Sequence, residues 1–236
     1  MTYRVIDAFK GIFEGKLYRH RDSSLGDFVA SFLIDDLYQL GRSSKLAHAV
    51  ELHQSVLNIR NKPIGRNNQR RGDGTFGPRI PTVQPITVAD HIVSLGEVAS
   101  TEVGSEVKIL AKAMQKQIDR VCTDLINQSR EFESAGGHPI KVAIVGVNHA
   151  ETYRSVEGER EFIADGKKYK RPLDEAAGAI DELQRRVTEH YDELLILKFS
   201  ATNIEPFPFE WLDRELTERN YGAALLRVAR EYELRF

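Results

Sequence analysis

The chain has 236 residues, with 33 Lys and Arg against 35 Asp and Glu, seven His, one Cys and one Trp, and 41% of it is hydrophobic. The lone Cys122 excludes an intrachain disulfide framework, the near-neutral charge excludes a globally basic nucleic-acid binder, and the longest apolar runs, 142–147 and 194–197, fall far short of the ~18 residues that cross a bilayer. The length suits one large domain with a real core, and with no apolar leader-like stretch at the N-terminus a cytoplasmic setting without membrane contact is expected.

Residues 1–60 carry helix-type spacing, with Phe28, Leu33 and Leu37 in one stretch and Leu46, Val50, Leu52, Val56 and Leu57 in the next, interrupted by Gly41. Residues 60–81 hold four Gly, three Pro and six Arg or Lys against one acid, Asp73, and read as the most basic loop of the chain. This predicts a helical segment with a basic loop over 1–80 and an α/β core over 81–236, together one compact domain. Segments 86–99 and 106–110, rich in Val and Ile and joined through 100–104, predict a β-hairpin. Residues 111–134 lack Gly and Pro and set Ile118, Val121, Cys122, Leu125 and Ile126 on one side, which predicts a long amphipathic helix stopped by Gly136 and Gly137. The nearly all-apolar stretch 141–148 predicts a buried strand. After a polar excursion over 149–171, a helix is expected at 172–191, a second buried strand at 193–200 and a closing helix at 210–232. This order predicts a mixed α/β (α+β) fold with a central sheet flanked by helices.

An acid two positions before a lysine occurs three times, at Glu14-Gly-Lys16, Glu106-Val-Lys108 and Asp165-Gly-Lys167. The first lies in a helix-like segment, where positions i and i+2 diverge, and the third in a polar loop. Only Glu106 and Lys108 fall on a predicted strand, where i and i+2 share a face, so they point together while Val107 and Ile109 point into the core. A carboxylate and an ammonium fixed side by side suit phosphodiester hydrolysis. The carboxylate holds Mg²⁺, and the ammonium orients or helps deprotonate the attacking water and balances charge building on phosphorus.

A hairpin whose second strand carries Glu-x-Lys, followed by a long helix and a buried strand, resembles the PD-(D/E)xK nuclease superfamily, the fold of many type II restriction endonucleases. The resemblance spans residues 83–148, with the basic helix start Lys-Ala-Met-Gln-Lys-Gln-Ile-Asp-Arg over 112–120, and the run 106–125 also resembles bacterial proteins described as restriction endonucleases. It implies a restriction-endonuclease-like mixed sheet and a Mg²⁺-dependent DNA endonuclease, with Mn²⁺ as a substitute. Such an enzyme would cut a short site in double-stranded DNA as a homodimer and would be accompanied by a cognate DNA methyltransferase. The resemblance further implies metal ligation by Glu106, the Val107 carbonyl and an acid on the preceding strand. That acid usually follows Pro, and no Pro-Asp dipeptide occurs. Asp90, in Val88-Ala-Asp-His91, is one substitute. Glu97, in Leu95-Gly-Glu-Val98, is another, because a hairpin with loop residues 100–103 sets it opposite Glu106 on the same face. Glu102 and Glu51 are further candidates.

Groups for the DNA backbone lie nearby in sequence. Lys112, Lys116 and Arg120 recur at i and i+4 with Gln117 beside them, a stripe whose plainer reading is a charged solvent face. Arg66, Asn67, Asn68, Gln69, Arg70 and Arg71 mix side chains able to pair with guanine or adenine edges, or else form a solvated connector. His149, just past the strand ending at Asn148, is a candidate substrate contact or an ordinary loop histidine. His53, His91 and His138 show no zinc-ligand spacing, and Cys122 reads as core. No Gly-x-Ser-x-Gly, phosphate-cradling Gly-rich loop or dinucleotide fingerprint occurs. Two other functions stay open: a catalytically silent DNA-binding or sensing module on the same fold, and a nuclease for modified or structured nucleic acid.

Overall fold

The computed structural model describes residues 2–20, 22, 24–59, 72–134 and 137–236. Four short helices open the chain: α1 (Arg4–Gly11), α2 (Ser24–Ala30), α3 (Leu33–Leu40) and α4 (Ser44–Glu51). Strands β1 (Ser55–Asn58), β2 (Gly74–Pro78) and β3 (Val103–Leu110) follow, then α5 (Met114–Ser134) and β4 (Ile140–Asn148). A hairpin of β5 (Tyr153–Glu157) and β6 (Arg160–Ala164) precedes α6 (Pro172–Val187), β7 (Glu193–Ala201), β8 (Phe209–Trp211) and α7 (Arg214–Arg235). The main sheet has the order β1-β2-β3-β4-β7-β8, with β3, β4 and β7 mutually parallel and the remaining neighbours antiparallel. The expected mixed α/β class is therefore what the chain adopts.

The apolar run of β4 explains its place at the centre. Val142 and Ile144 pack into one core with helices α1 to α4 and α7, while Ala143, Val145 and Val147 pack into a second core with α5 and α6. A strand covered on both faces needs apolar residues at every position rather than at alternate ones. Helices α5 and α6 share a face because each connects parallel neighbours by the same hand of crossover. On the other face, Gly146 leaves room for α1: a Cβ there would meet the Phe9 ring at 2.3 Å.

Two expectations are corrected. Residues 86–99 are not the first strand of a hairpin; they run irregularly, with single bridges from Ile86 to Leu95 and from Arg79 to Val98. The antiparallel partner of β3 is instead β2, taken from the stretch read as basic loop, with Gly74 opposite Ser105 and Phe76 opposite Val103. Because β1 and β2 belong to the same sheet as β3, the boundary at residue 80 separates nothing in the structure.

Buried polar groups tie the layers. Asn148 donates to the carbonyls of Ala111 and Ala201 and accepts from the Ala150 and Ala201 amides, clamping the ends of β3, β4 and β7. Asp36, fully buried on α3, accepts from the Arg4 and Val5 amides at the start of α1 and from the Tyr221 hydroxyl of α7. Replacing it orphans three donors, two of them buried, so Asp36→Ala should lower stability by about 3 kcal/mol in a denaturant melt.

At the far end of α7, Glu233 accepts from the Ser43 and Ser44 hydroxyls and the Lys45 amide, all at the start of α4. These bonds to the ionised form, the Lys45 amide first, hold its carboxyl down at about 2. The folded value lies below the unfolded one of ~4.3, so the contribution is complete above that pH and is lost as pH falls from there towards 2. Thermal melts of Glu233→Gln should show a lower midpoint than wild type at neutral pH and a gap that closes over that acid range.

Candidate active site

The register of β2 on β3 builds the site. With Gly74 opposite Ser105, the preceding residue, Asp73, comes beside Glu106. Its amide donates to Glu106 Oε2 at 3.3 Å, and its carboxylate Oδ2 accepts from the Val107 amide at 2.8 Å. Glu106 and Lys108 share a face of β3, as i and i+2 must, and the Lys108 ammonium forms an ion pair with Glu106 Oε1. Val107 points the other way into the core. The two other acid-x-Lys matches have no such setting: Glu14 pairs with Lys10 in a turn after α1, and Asp165 lies 3.8 Å from Lys167 in an exposed loop.

Beyond Ser105, β2 no longer pairs with β3, and this edge of β3, paired with no other strand among the described residues, borders a cleft of 680 Å³. Asp73, Val107 and Lys108 line its floor, Gln117, Arg120 and Asp124 of α5 one wall, and Gly26 of α2 another. The approach of α2 depends on Gly26, since a Cβ there would stand 2.8 Å from Asp73 Oδ2. The backbone N–H and C=O of one strand residue face the same side, so the Val107 carbonyl is aimed at the same edge as the amide that Asp73 holds.

Burial dominates the electrostatics. It raises the Asp73 carboxyl to about 7, helped by the neighbouring Glu106 charge and opposed by Lys108. Glu106 is raised for the same first reason, against the pull of Lys108, and the buried Asp27 of α2 adds a further negative charge beside both. For Lys108, burial works downward, but Glu106 and Asp73 outweigh it and hold the ammonium above its ordinary value. Two carboxyls thus share one counter-ion where both cannot comfortably ionise.

The four acids proposed from the sequence for the second position lie elsewhere. The Glu97 carbonyl accepts from the Ile80 amide, past the far end of β2 from Asp73. Asp90 sits beside α1, its carbonyl bound by Arg4. Glu102 accepts from Tyr232 and Ser55, and Glu51 from Tyr38. Asp73 takes the place intended for them, and the sequence offered it only as the sole acid of a basic stretch.

The helix stripe is also redrawn. Lys112 precedes α5 rather than lying on it, and is buried against the β5–β6 hairpin, with its ammonium bonded to Ser155 and Glu157 and seated 4.2 Å from the centre of the Phe162 ring. Gln117 spans back to the Lys112 carbonyl at 2.9 Å. Arg120 is exposed at the cleft wall, and Lys116, also exposed, is not part of the lining. His149 bonds the Val147 carbonyl through its ring and lies outside the cleft. Another histidine, His20, does line it, bonded to the Tyr153 hydroxyl at 3.0 Å; burial first, then Lys112, lowers it to about 4, so it is neutral at pH 7. Its segment is pinned by Asn203, which bonds both the amide and the carbonyl of Tyr18. Arg66, Asn67, Asn68, Gln69, Arg70 and Arg71 lie outside the described residues.

Among the described residues no group of three or more His, Cys, Asp or Glu side chains is arranged to hold a metal ion, and no helix is long and apolar enough to cross a membrane. No family model, curated protein or solved structure matches the chain.

Since Lys112 is a buried member of an ion pair, Lys112→Ala should cost about 2–3 kcal/mol in a denaturant melt, whereas Lys116→Ala and Arg120→Ala should each change stability by less than about 0.5 kcal/mol.

Proposed function

We propose that the chain is a metal-dependent DNA endonuclease, and more specifically a type II restriction enzyme acting as a homodimer on a short duplex site. The observation that supports this reading is the convergence of Asp73, Glu106 and Lys108 on one freed strand edge that borders a cleft. It matches the acid, Glu-x-Lys pattern of the nuclease superfamily, with the acid following Gly72 instead of Pro.

The donor set suits Mg²⁺: two carboxylates, Asp73 and Glu106, with the carbonyl of Val107, the residue after Glu106. Mg²⁺ needs only one or two protein carboxylates because it keeps several waters, so a cage of three acids is not required, and Mn²⁺ accepts the same oxygen donors. The metal, when bound, supplies Lewis acidity towards a phosphoryl oxygen and lowers the pKa of a coordinated water. Lys108, held by Glu106, orients the attacking water and offsets negative charge on the scissile phosphate. Gln117 and Arg120 are placed to meet backbone phosphates at the cleft wall. In sequence, the segment 60–71, with Arg60, Lys62, Arg66, Arg70 and Arg71 and no acid, immediately precedes Gly72 and Asp73, and such a cationic run suits a phosphate backbone. A cytoplasmic setting and a cognate methyltransferase belong to the same reading.

Incubation with methylated and unmethylated DNA in Mg²⁺ should give discrete cleavage of at least one substrate. Asp73→Asn, Glu106→Gln and Lys108→Ala should each slow it by about 100-fold or more while leaving DNA binding in Ca²⁺ near wild type. Glu97→Gln and Asp90→Asn should cut at the wild-type rate. Absence of any divalent-metal-dependent cleavage, or full activity in Asp73→Asn, would overturn the proposal.

A further inference from the structure

One polar group of the cleft takes no part in the proposed metal site. His20 lines the cleft, and lines as well a neighbouring pocket of 380 Å³ that it shares with Arg19, Asp22 and Glu157. Its place is built by Asn203, whose Nδ2 donates to the carbonyls of Tyr18 at 3.1 Å and Arg154 at 2.8 Å, while its Oδ1 accepts from the Tyr18 amide at 2.8 Å. The segment leading to His20 and strand β5 are thereby held together, and the His20 ring meets Tyr153, the residue before Arg154, with 3.0 Å between Nε2 and the hydroxyl. Tyr18 packs edge-on against the same ring. Tyr153 is fully buried, and burial raises its pKa, so the hydroxyl keeps its proton and needs an acceptor for it. Among the described residues its one hydrogen-bond partner is His20 Nε2.

Nε2 is therefore the acceptor, and the single ring proton of a neutral imidazole falls on Nδ1. The ring is neutral at pH 7, because burial, then the Lys112 ammonium, hold it down at about 4 against the opposing pull of Glu157. Among the described residues Nδ1 has no hydrogen-bond partner, and on this half-buried side chain it is open to solvent rather than enclosed. The carboxylates around it are engaged: Glu157 pairs with Lys112, and Asp22 accepts from the amide and hydroxyl of Ser24. We infer that His20 contacts the substrate, its Nδ1–H donating to a non-bridging phosphate oxygen of the strand that enters the cleft, and that Tyr153 is the positioning residue that fixes this tautomer. The identity of the anion rests on the nuclease reading above. A neutral donor suits the place, since a second cation would be repelled by Lys112, whereas an N–H still recognises an ionised phosphate oxygen, which only accepts.

The test uses the full chain labelled with ¹⁵N-histidine and requires no cleavage. At neutral pH the His20 ring, identified by its loss in His20→Asn, should give the nitrogen spectrum of an Nδ1–H tautomer, and Tyr153→Phe should turn it into a mixture of both tautomers. Adding short duplex DNA in Ca²⁺ should move the Nδ1 resonance of the wild type. In the same buffer His20→Ala should weaken duplex binding about tenfold. His20→Asn, whose side-chain N–H takes the place of Nδ1–H, should recover most of that loss, and His20→Gln, whose N–H takes the place of Nε2, should not. A purely structural role would leave Nδ1 unmoved by DNA and Asn no better than Gln. An Nε2–H tautomer in the wild type, an Nδ1 resonance indifferent to duplex DNA, or wild-type binding by His20→Ala would overturn the inference. Failure of the nuclease reading shows separately, as a protein that binds duplex DNA through His20 and never cuts it in Mg²⁺.

Discussion

One half-buried ammonium set against two carboxylates, the buried Glu106 and the half-buried Asp73, is the constraint around which this end of the molecule is organised. Carboxylates lose hydration on burial, and a single lysine offsets only part of that loss, which is why burial raises both Asp73 and Glu106 even with Lys108 in contact. An apolar trio of similar volume would stabilise the fold at least as well. Function is the simplest reason to keep such a cluster at the border of a cleft, and the proposed divalent cation would relieve the excess negative charge that Lys108 leaves.

The cleft exists because the cluster ends a β-ladder. Were β2 to continue backwards alongside β3, a backbone carbonyl would take the Val107 amide. The Asp73 carboxylate takes it instead, so the pairing of β2 with β3 stops at Ser105. One side chain thus terminates the ladder, satisfies the exposed donor and delivers a carboxylate to the gap. Gly26 completes the arrangement by letting α2 close over Asp73 without a Cβ in the way. Site and fold are here the same set of contacts, and the catalytic reading adds no residue that the local structure does not already hold.

What the sequence made legible follows from the range of the forces involved. The common face of Glu106 and Lys108 was readable because strand parity is local, and the buried β4 because a strand covered on both faces must be apolar throughout. The second acid was not readable, since its position depends on which strand pairs with β3. Proximity in sequence favoured 86–99, yet β2 pairs across an intervening stretch of irregular chain. The available signal was Gly74-Thr-Phe-Gly-Pro78, a short strand-like run following the only acid of a basic stretch; its glycines made it look like loop. Lys112 was misjudged for a related reason. Helical spacing extends past the true start at Met114, so a residue packed under the β5–β6 hairpin falls on a stripe that reads as DNA-backbone contact or solvent face. The hairpin itself, hidden in the polar excursion, is what buries it.

The charges of the cleft carry a last consequence for the proposed reading. Among the described residues, Asp22, Asp73, Asp124 and Glu157 line it with Glu106 beneath, together with Lys108, Lys112 and Arg120, the first two paired with Glu106 and Glu157. His20 adds no charge at neutral pH, since burial holds its pKa near 4. On the proposed reading, a divalent cation beside Asp73 and Glu106 would reduce the repulsion that these carboxylates offer a phosphodiester. Metal and polyanion must then favour each other's binding, because each removes the repulsion that opposes the other, and the coupling is the same whichever binds first. On the proposed reading, the cationic run of the sequence at 60–71 would add attraction for the duplex, whereas entry of the scissile phosphate beside Asp73 and Glu106 would depend on the metal.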